Sequence, residues 1–495
     1  MQNRTRHIAF IITAVLALAL EGRTLQAGEI SASGPTPSTL DDDGMLVVHG
    51  KRTFIFGCYW NPGTTEGLAQ LHAAGFNLVS AGADRAALDA VARQGLLAWI
   101  PLGGLLAPSN EAEAKALEAA IAPLRDHPAL AVWEIPDEAL WNEWWNRTNA
   151  LAAEREKLAA LLREREQAGA DLGRVRELLA REAAVRARAD FAAAEALERE
   201  VRSLVGAPEQ NAAIQVSRAP ASAEAMRQRL LRGRRVVRHI DGRPIWMNYA
   251  PRNTPADIAR YAEAADIVGC DIYPVPAHPS QGHSDLANKQ PSSVGDYTER
   301  FRLAGKGRPV WMVLQGFGWR DLHGAPPDAK PEQGRRPTRE ESRFMLFDAI
   351  VHGARGALYW GVNYAQAPPE FWTELRAVVR EAADWQAVWA ARDADAQPRV
   401  EVEPTWGSLD RPPLALAKRG EDKKTFVLVV NEEDEGLGVR LSGLEPLGPA
   451  AAALVYNPSG CALKEERLRE GALVVYMPAQ AVALVRIESR ITNYE

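Results

Sequence analysis

Eight short apolar segments alternate with segments of helical periodicity, and this alternation constrains the fold more than any other feature. The first four are TFIFGCYW, FNLVS, LLAWIPLGG and ALAVWEIPDE, and the last four are RPIWMNYAP, ADIVGCDIYPV, RPVWMVLQGFGW and RGALYWGVN. Strands that alternate with helices predict an α/β protein, and eight such units predict a parallel (β/α)8 barrel of the TIM type over residues 45–395. An open, doubly wound sheet is the alternative. No glycine-rich phosphate-binding turn follows the first segment, which weakens that alternative.

Two regions do not follow the alternation. Residues 147–205, after the fourth apolar segment, are rich in Ala, Leu, Glu and Arg, with leucines at helical spacing on either side of the turn sequence AGADLG. We expect an inserted antiparallel helical hairpin, similar to a coiled coil, at this point. It is either an excursion packed on itself or an arm for a partner, for substrate gating or for self-association. Residues 399–490 contain short apolar segments between Gly, Asn and Pro turns, which predict a C-terminal antiparallel β-sandwich.

The N-terminus has the pattern of an export signal. A basic start, MQNRTRH, precedes the apolar run IAFIITAVLALAL, and a small-residue cleavage site follows at Ala27. Residues 1–27 are therefore predicted to be a signal peptide and residues 28–44 a linker. The mature protein is then secreted or periplasmic, with no stable membrane span. Retention of the apolar run as a membrane anchor is the alternative.

Charge and cysteine content narrow the function. The net charge of −6 and the pI near 6.0 give no basic surface, which argues against a nucleic-acid partner. Cys58, Cys270 and Cys461 are far apart and form neither a disulfide framework nor a metal-binding pattern, so buried thiols are expected. The chain also contains 14 tryptophans. Indole faces commonly stack on sugar rings, although packing in the core is their more usual role.

Acidic, amide and aromatic residues collect at the predicted strand ends, where barrels of this type carry their catalytic groups. Asp137 and Glu138 end the fourth strand, and Asp271 ends the sixth. The other residues at strand ends are Tyr59, Trp60, Asn61, Asn248, Tyr249, Tyr273, Gln315, Trp319, Trp360 and Asn363. This set includes no Cys/His metal site, no lysine within a strand and no Ser-His-Asp order, so neither a metal nor a cofactor is expected. Because amides and carboxylates bind hydroxyl groups and aromatic rings cover sugar faces, the set predicts a carbohydrate ligand.

Four motifs resemble those of the large clan of retaining (β/α)8 glycoside hydrolases, and more closely those of secreted bacterial barrels. They are VWEIPDEALW, GCDIYPV, PVWMVLQGFGW and EESRFMLFDAIVHGARGALYW, on strands four, six, seven and eight. The resemblance covers about residues 45–395 without the hairpin. It implies hydrolysis of glycosidic bonds in an oligo- or polysaccharide, with Glu138 at the acid/base position. Asp137 stands where the family has an amide, and we expect it to bind a sugar hydroxyl and to raise the pKa of Glu138.

The sequence departs from the family at the end of strand seven. The family's nucleophile there is a glutamate, whereas this chain has Gln315, and an amide cannot form the glycosyl-ester intermediate. Asp271 is the best substitute, as a base or as a nucleophile; a strand-end cap bonded to backbone amides is its alternative role. We expect a wide gap between Asp271 and Glu138, because they arise two strands apart, and we expect Glu134 to be an interior, supporting group. A non-catalytic carbohydrate-binding barrel, another barrel enzyme and a scaffold that uses the hairpin remain as alternative functions.

Overall fold

The structure is a computed structural model. It describes residues 38–277, 284–323, 330, 332–402, 409–420, 424–444, 450–456, 465–467 and 472–489. The predicted signal peptide and Cys461 lie outside these ranges. Cys58 and Cys270 are free, buried thiols, as expected. In the part of the chain that is described, no helix combines the length and the apolar character that a membrane crossing requires.

Eight parallel strands form the central sheet. They are β1 (Ile55–Cys58), β2 (Leu78–Ser80), β3 (Leu97–Pro101), β4 (Leu130–Glu134), β5 (Ile245–Tyr249), β6 (Ile267–Cys270), β7 (Trp311–Gln315) and β8 (Gly356–Trp360). Ladder hydrogen bonds join them in the order β7-β8-β1-β2-β3-β4-β5-β6. Parallel bridges from Val268 to Val310 and from Asp271 to Val313 then join β6 to β7. The strands therefore close into the barrel that the sequence predicts.

The helices follow the strands in alternation. They are α1 (Thr65–Ala73), α2 (Arg85–Ala92), α3 (Glu111–Ile121), α4 (Ala139–Gln167), α5 (Gly173–Arg186), α6 (Phe191–Val205), α7 (Ala219–Ile240), α8 (Pro255–Tyr261), α9 (Ser293–Ala304), α10 (Trp319–His323), α11 (Arg339–Val351), α12 (Glu370–Ala383) and α13 (Gln386–Trp389). Helices α5 and α6 belong to the insertion after β4. Side chains that face outward from the strands pack with the buried sides of the helices around the barrel in one large core. Helix starts follow the sequence signals: Thr338, for example, forms a reciprocal capping box with Glu341.

The barrel interior is filled by tryptophans from alternate strands. Trp99 of β3, Trp246 of β5 and Trp311 of β7 are fully buried. Their ring centroids are 5.9 Å apart between Trp99 and Trp246 and 5.7 Å apart between Trp246 and Trp311. Inward-facing residues of alternate strands form one layer in such barrels, so the three indoles make a solid floor beneath the mouth.

A small antiparallel sheet precedes the barrel. Its strands are Thr39–Leu40, Leu46–Val48 and Lys51–Thr53, so the range 28–44 that was predicted to be a linker contains a strand. Leu46 and Val48 project from the same face and join the buried cluster that includes the interior tryptophans. This sheet therefore contributes to the core of the barrel.

The insertion after β4 contains three helices, whereas a two-armed hairpin was predicted. Helix α4 ends at the predicted turn, but the second arm is divided into α5 and α6. The division arises at residues 187–190, where Ala189 has a positive φ of 61° and the Asp190 side chain accepts a hydrogen bond from the Ala193 amide to start α6. The helices share their own core, formed by Leu158, Leu178 and Val201 among others. Among the described residues 147–205, Leu204, which is 55% exposed, is the one large apolar side chain that is mostly exposed, so the insertion presents no broad apolar face.

Two antiparallel sheets form the C-terminal part. Their strands are β9 (Arg392–Asp393), β10 (Arg399–Val402), β11 (Leu414–Arg419), β12 (Thr425–Asn431), β13 (Leu437–Ser442), β14 (Ala450–Tyr456), β15 (Glu465–Arg467), β16 (Leu473–Met477) and β17 (Ala481–Ser489). One sheet has the order β9-β11-β12-β17-β14-β15 and the other β10-β13-β16. Alternate residues of both sheets, such as Val427 of β12 and Val439 of β13, meet in one buried cluster. The predicted antiparallel C-terminal region is therefore present.

Candidate functional site

The turn after β4 fixes the two adjacent carboxyl groups in different directions. Glu138 adopts a left-handed backbone conformation, with φ of 48° and ψ of 34°, directly before α4 begins. Residues other than glycine rarely adopt this conformation, and surrounding contacts must hold it. The Glu138 amide donates to the Asn248 carbonyl of β5 at 3.3 Å, and the Asn248 side-chain amide donates to Asp137 Oδ1 at 2.9 Å. Strand β5 thus orients both acids.

Glu138 and Asp271 form a carboxyl pair in the barrel mouth. Their side chains lie within hydrogen-bonding reach of each other, which requires a proton on one of them. Burial and the Asp137 charge raise the pKa of Glu138 to about 7. Burial, reinforced by Glu138 and Asp137, raises the pKa of Asp271 far above its ordinary value. The pair therefore holds one shared proton above neutral pH.

The contact between these acids corrects the wide gap expected from the sequence. Strands β4 and β6 are separated by β5, but the left-handed turn at Glu138 brings its side chain back across the end of β5. The two partners differ in accessibility. Asp271 is only 6% exposed, whereas Glu138 is partly exposed and is thus the member that reaches a ligand from solvent.

Two further acids extend the site. Glu134 is 3% exposed inside the barrel, where the Trp99 indole N–H donates to Oε2 at 2.9 Å and the Tyr59 hydroxyl donates to Oε1 at 3.4 Å. Burial and the nearby Asp137 charge raise the pKa of Glu134 well above its ordinary value. Asp137 is exposed at the mouth. The surrounding protein nevertheless displaces part of the water around its carboxyl group, and this desolvation raises its pKa as well. Glu134 is thus an interior group, as its position on the strand indicated.

An aromatic wall adjoins the carboxyl pair. Tyr273 hydrogen-bonds with Asp271, and its ring stacks on Trp360 at a centroid distance of 5.6 Å and an angle of 21°. Trp319 meets the edge of Tyr273 at 6.2 Å. The buried ring of Phe317, which the sequence analysis did not select, lies 5.2 Å from Trp360 and packs over Gly361, where a Cβ would collide with it. Trp319 and Trp360 remain partly exposed, so the wall presents indole surface to the mouth.

Gln315 and Tyr249, which the sequence predicts to bind the ligand, are fully buried and make structural contacts. Gln315 is fully buried, and its amide accepts from the Val275 N–H at 2.9 Å and donates to the Val275 and Phe317 carbonyls at 2.7 and 3.0 Å. It joins the loop after β6 to the end of β7. Tyr249 is fully buried against Phe301 of α9, because Asn248 faces inward and its neighbour must face the helices.

Three other residues were predicted to bind the ligand. Two of them, Asn61 and Trp60, make structural contacts, and the third, Asn363, lies in an exposed segment. The Asn61 amide donates to the Ser80 carbonyl at 2.7 Å and accepts from the Gly63 amide at 2.9 Å, which holds its loop against β2. Trp60 packs edge-on against Trp372 of α12 at 6.1 Å, because Tyr59 takes the inward position. Asn363 is exposed in the segment after β8.

The first turns of α4 carry an aromatic cluster to which the sequence analysis assigned no role. Trp141 stacks on Trp145 at 5.8 Å and 20°, and its ring lies 5.0 Å from Trp144. Trp144 and Trp145 are 39% and 44% exposed. Trp141 and Trp145 follow Glu138 by three and seven residues, a spacing that places them on one helical face. The sequence signal was the run LWNEWW directly after the acidic pair.

An open pocket lies on the adjacent side of α4. Its volume is about 380 Å³, and Asp137, Asn142, Glu143, Asn146 and Arg147 contribute to its lining. Both sides of the first turns of α4 therefore present hydrogen-bonding or aromatic groups next to the mouth.

Comparisons with solved structures relate the fold to glycoside hydrolases. A structure described as a glycoside hydrolase matches 93% of this chain and 98% of its own, with 11% sequence identity and a TM-score of 0.52. A catalytic mutant of a GH42 beta-galactosidase from G. stearothermophilus matches 88% of this chain and 98% of its own, with 9% identity and a TM-score of 0.49. A GH30 endoxylanase from Clostridium papyrosolvens matches 92% of this chain and 100% of its own, with 11% identity and a TM-score of 0.45.

Comparisons at the level of sequence give no such relation. No family model matches the chain, and no curated protein matches it. The structural similarity therefore rests on the barrel and the elements around it, at sequence identities that relate folds alone. The chain has an α/β TIM-barrel fold similar to that of glycoside hydrolases.

Proposed function

We propose that this protein hydrolyses glycosidic bonds in an extracytoplasmic oligo- or polysaccharide, with Glu138 as the general acid/base and Asp271 as the second carboxylate. One observation carries the proposal: two carboxyl groups with raised pKa values share a hydrogen bond at the mouth of a barrel. Glycoside hydrolysis requires a proton donor and a carboxylate at one place. A pair that holds one proton supplies both.

The proton moves through the exposed member of the pair. Asp271, whose pKa lies far above its ordinary value, passes the shared proton to Glu138 across their hydrogen bond as the substrate arrives. Glu138 then delivers this proton to the departing glycosidic oxygen, because it is the partner that reaches solvent. Asp271 is then the carboxylate that attacks the anomeric carbon or removes a proton from water. A substrate must enter between the two groups and replace their hydrogen bond. Asn248 and the left-handed backbone at Glu138 keep the acid in place while this happens.

The surroundings of the pair suit an uncharged, extended ligand. Trp319 and Trp360 offer partly exposed indoles beside Asp271, and Asp137 offers a carboxylate for hydroxyl groups. Trp141 and Trp145 offer a second aromatic surface, on α4. A monosaccharide would contact one of these surfaces, whereas a chain of sugars can contact both. The basic and apolar N-terminal segments of the sequence support export to a compartment where such polymers occur.

A non-catalytic carbohydrate-binding barrel is the second candidate, and Gln315 favours it. Its amide occupies the position of the strand-seven glutamate in the family that the sequence resembles, and its hydrogen bonds to the backbone are structural. In this case the aromatic surfaces would bind sugar and the carboxyl pair would form hydrogen bonds to hydroxyl groups.

A reducing-sugar assay over a panel of polysaccharides tests the first proposal against the second. Glu138→Gln should reduce turnover by roughly 10²–10⁴-fold, the usual contribution of a positioned acid, and Asp271→Asn should abolish it while binding persists. Glu164→Gln, an exposed change near the other end of α4, is the matched control and should leave turnover unchanged. Tight binding of a glycan with no product from the wild-type protein would favour the binding barrel.

A further inference from the structure

A second cluster of titratable groups lies where the barrel meets the C-terminal sheets. Asp348 lies in the last turn of α11, His352 directly follows that helix, and Glu432 directly follows β12. His352 Nε2 lies 2.8 Å from Glu432 Oε1 and 3.8 Å from Asp348 Oδ1. One ligand atom from each of the three residues falls within 4.8 Å of the others. The carbohydrate site uses none of these side chains.

The two carboxyl groups of this cluster need a positive charge or a proton between them. Asp348 is fully buried, Glu432 is 5% exposed, and their carboxyl groups lie within hydrogen-bonding reach of each other. Among the described residues, no N–H or hydroxyl group donates to the buried Asp348 Oδ1. Buried carboxylates in contact repel each other strongly in a medium of low dielectric. The imidazole nitrogen of His352 is directed at the same space.

Surrounding groups hold the ligand atoms in place. The Gly295 amide donates to Asp348 Oδ2 at 2.7 Å, and Arg411 Nε donates to Glu432 Oε2 at 2.8 Å. Arg411 is held in turn by Asp296 of α9, at 2.6 Å from its Oδ1. These bonds use Asp348 Oδ2 and Glu432 Oε2, so that Asp348 Oδ1 and Glu432 Oε1 are left facing His352. Residues that hydrogen-bond to metal ligands usually orient them in this way. A Cβ at Gly295 would collide with the His352 ring, so glycine permits this close approach.

We propose that Asp348, His352 and Glu432 bind one divalent transition-metal ion, for which Zn²⁺ is the best fit, and that this ion links the barrel to the C-terminal sheets. Ligand atoms about 2.0–2.2 Å from a tetrahedral Zn²⁺ lie about 3.3–3.6 Å from one another, between the two separations measured here. One imidazole and two carboxylates form a ligand set for Zn²⁺, whereas Mg²⁺ and Ca²⁺ prefer oxygen ligands alone. The His352 side chain is 15% exposed, which leaves room for a water molecule as fourth ligand.

Metal binding to the purified, tag-free protein tests this site. The protein is stripped with a chelator, dialysed, and titrated with ZnSO₄ while bound metal and the melting temperature are measured. We expect one Zn²⁺ for each chain and a rise of several degrees in melting temperature, with no rise from MgSO₄. Co²⁺ should give the intense visible absorption of a four-coordinate site. His352→Gln should lose the bound ion and both signals, whereas His72→Gln, which changes an exposed histidine elsewhere, should keep them.

Asp348→Asn separates a metal site from a proton-sharing ion network. The asparagine retains the bond from the Gly295 amide and replaces a buried acid with a neutral amide of similar size, so the variant should fold even if His352→Gln does not. We expect it to be at least as stable as the stripped wild-type protein but to gain nothing from Zn²⁺. The proposal is overturned if wild-type protein binds no Zn²⁺, or if either variant binds it as the wild type does.

Discussion

Asp271 and Glu138 share a hydrogen bond across the barrel mouth, although strand β5 lies between the strands that carry them. The contact exists because Glu138 turns back in a left-handed conformation that Asn248 fixes from β5. Neither acid has its ordinary pKa in this arrangement. Burial and the Asp137 charge raise the pKa of Glu138, and burial with the charges of Glu138 and Asp137 raises the pKa of Asp271. The pair thus behaves as one titrating unit, and its proton count determines when it can act.

The pH dependence of kcat/KM should follow that proton count. Below pH 7 both acids are protonated, so a donor is present but no carboxylate. The pKa of Glu138 is about 7, so kcat/KM should rise with pH through that value as the first proton leaves. It should fall only at higher pH, where the second proton leaves the pair. A pH–rate profile on a soluble oligosaccharide checks this, and a decline in rate from pH 5 to pH 8 would contradict it.

The product should retain the anomeric configuration. Carboxyl groups in contact need to separate only slightly to reach the spacing of about 5–5.5 Å that retaining enzymes use, whereas inversion needs about 6.5–9.5 Å. Proton NMR of the first product formed from a defined glycoside measures the configuration directly. Methanol added to the reaction should also yield a methyl glycoside of the same configuration. Initial release of the opposite anomer would mean that Asp271 activates water instead.

The barrel could be predicted from the sequence, and the prediction is confirmed: all eight apolar segments are strands of the central sheet. The sequence could also have separated Asn248 from Tyr249, and Tyr59 from Trp60, because alternate residues of a strand face opposite sides. The Glu138–Asp271 contact could not be predicted from the sequence, because the contact depends on the unusual left-handed backbone conformation of Glu138. The role of Gln315 depends on bonds to Val275, a residue distant in sequence, which no local pattern reveals.

Glu134→Gln should stabilise the protein at neutral and alkaline pH. The pKa of Glu134 is raised in the folded state, so the folded protein binds more protons than the unfolded chain, and stability falls as pH rises above about 4.5. Glutamine can still accept the Trp99 N–H bond but cannot ionise. Melting curves should therefore coincide near pH 4 and diverge in favour of the variant by pH 8. Equal melting temperatures for the variant and the wild type at pH 8 would show that ionisation of Glu134 does not destabilise the folded protein.

Trp145→Ala should weaken the binding of long oligosaccharides more than that of short ones. The indole is 44% exposed and stacks on Trp141, so its loss removes the proposed sugar-binding face at little cost in packing. Stacked aromatic pairs gain about 0.5–1.5 kcal/mol beyond area burial, and the loss of a stacking contact of similar size would correspond to a roughly 2–13-fold increase in Kd. Calorimetric titration with oligosaccharides of increasing length measures this. Tyr476→Ala, which changes an exposed aromatic residue on β16, is the control and should leave Kd unaltered.

Gln315→Glu should destabilise the protein and should not create a new nucleophile. The glutamine Nε2 donates to two carbonyl oxygens, of Val275 and Phe317, and both would lose their donor if it became a carboxylate oxygen. Each buried group left without a partner costs about 1–3 kcal/mol, and the new charge would also be buried. Chemical denaturation should therefore show a large loss of stability at pH 7 and a smaller one at pH 4, where the glutamate is protonated and can donate one bond. A stable variant with increased turnover would instead mean that the end of β7 is open to the substrate.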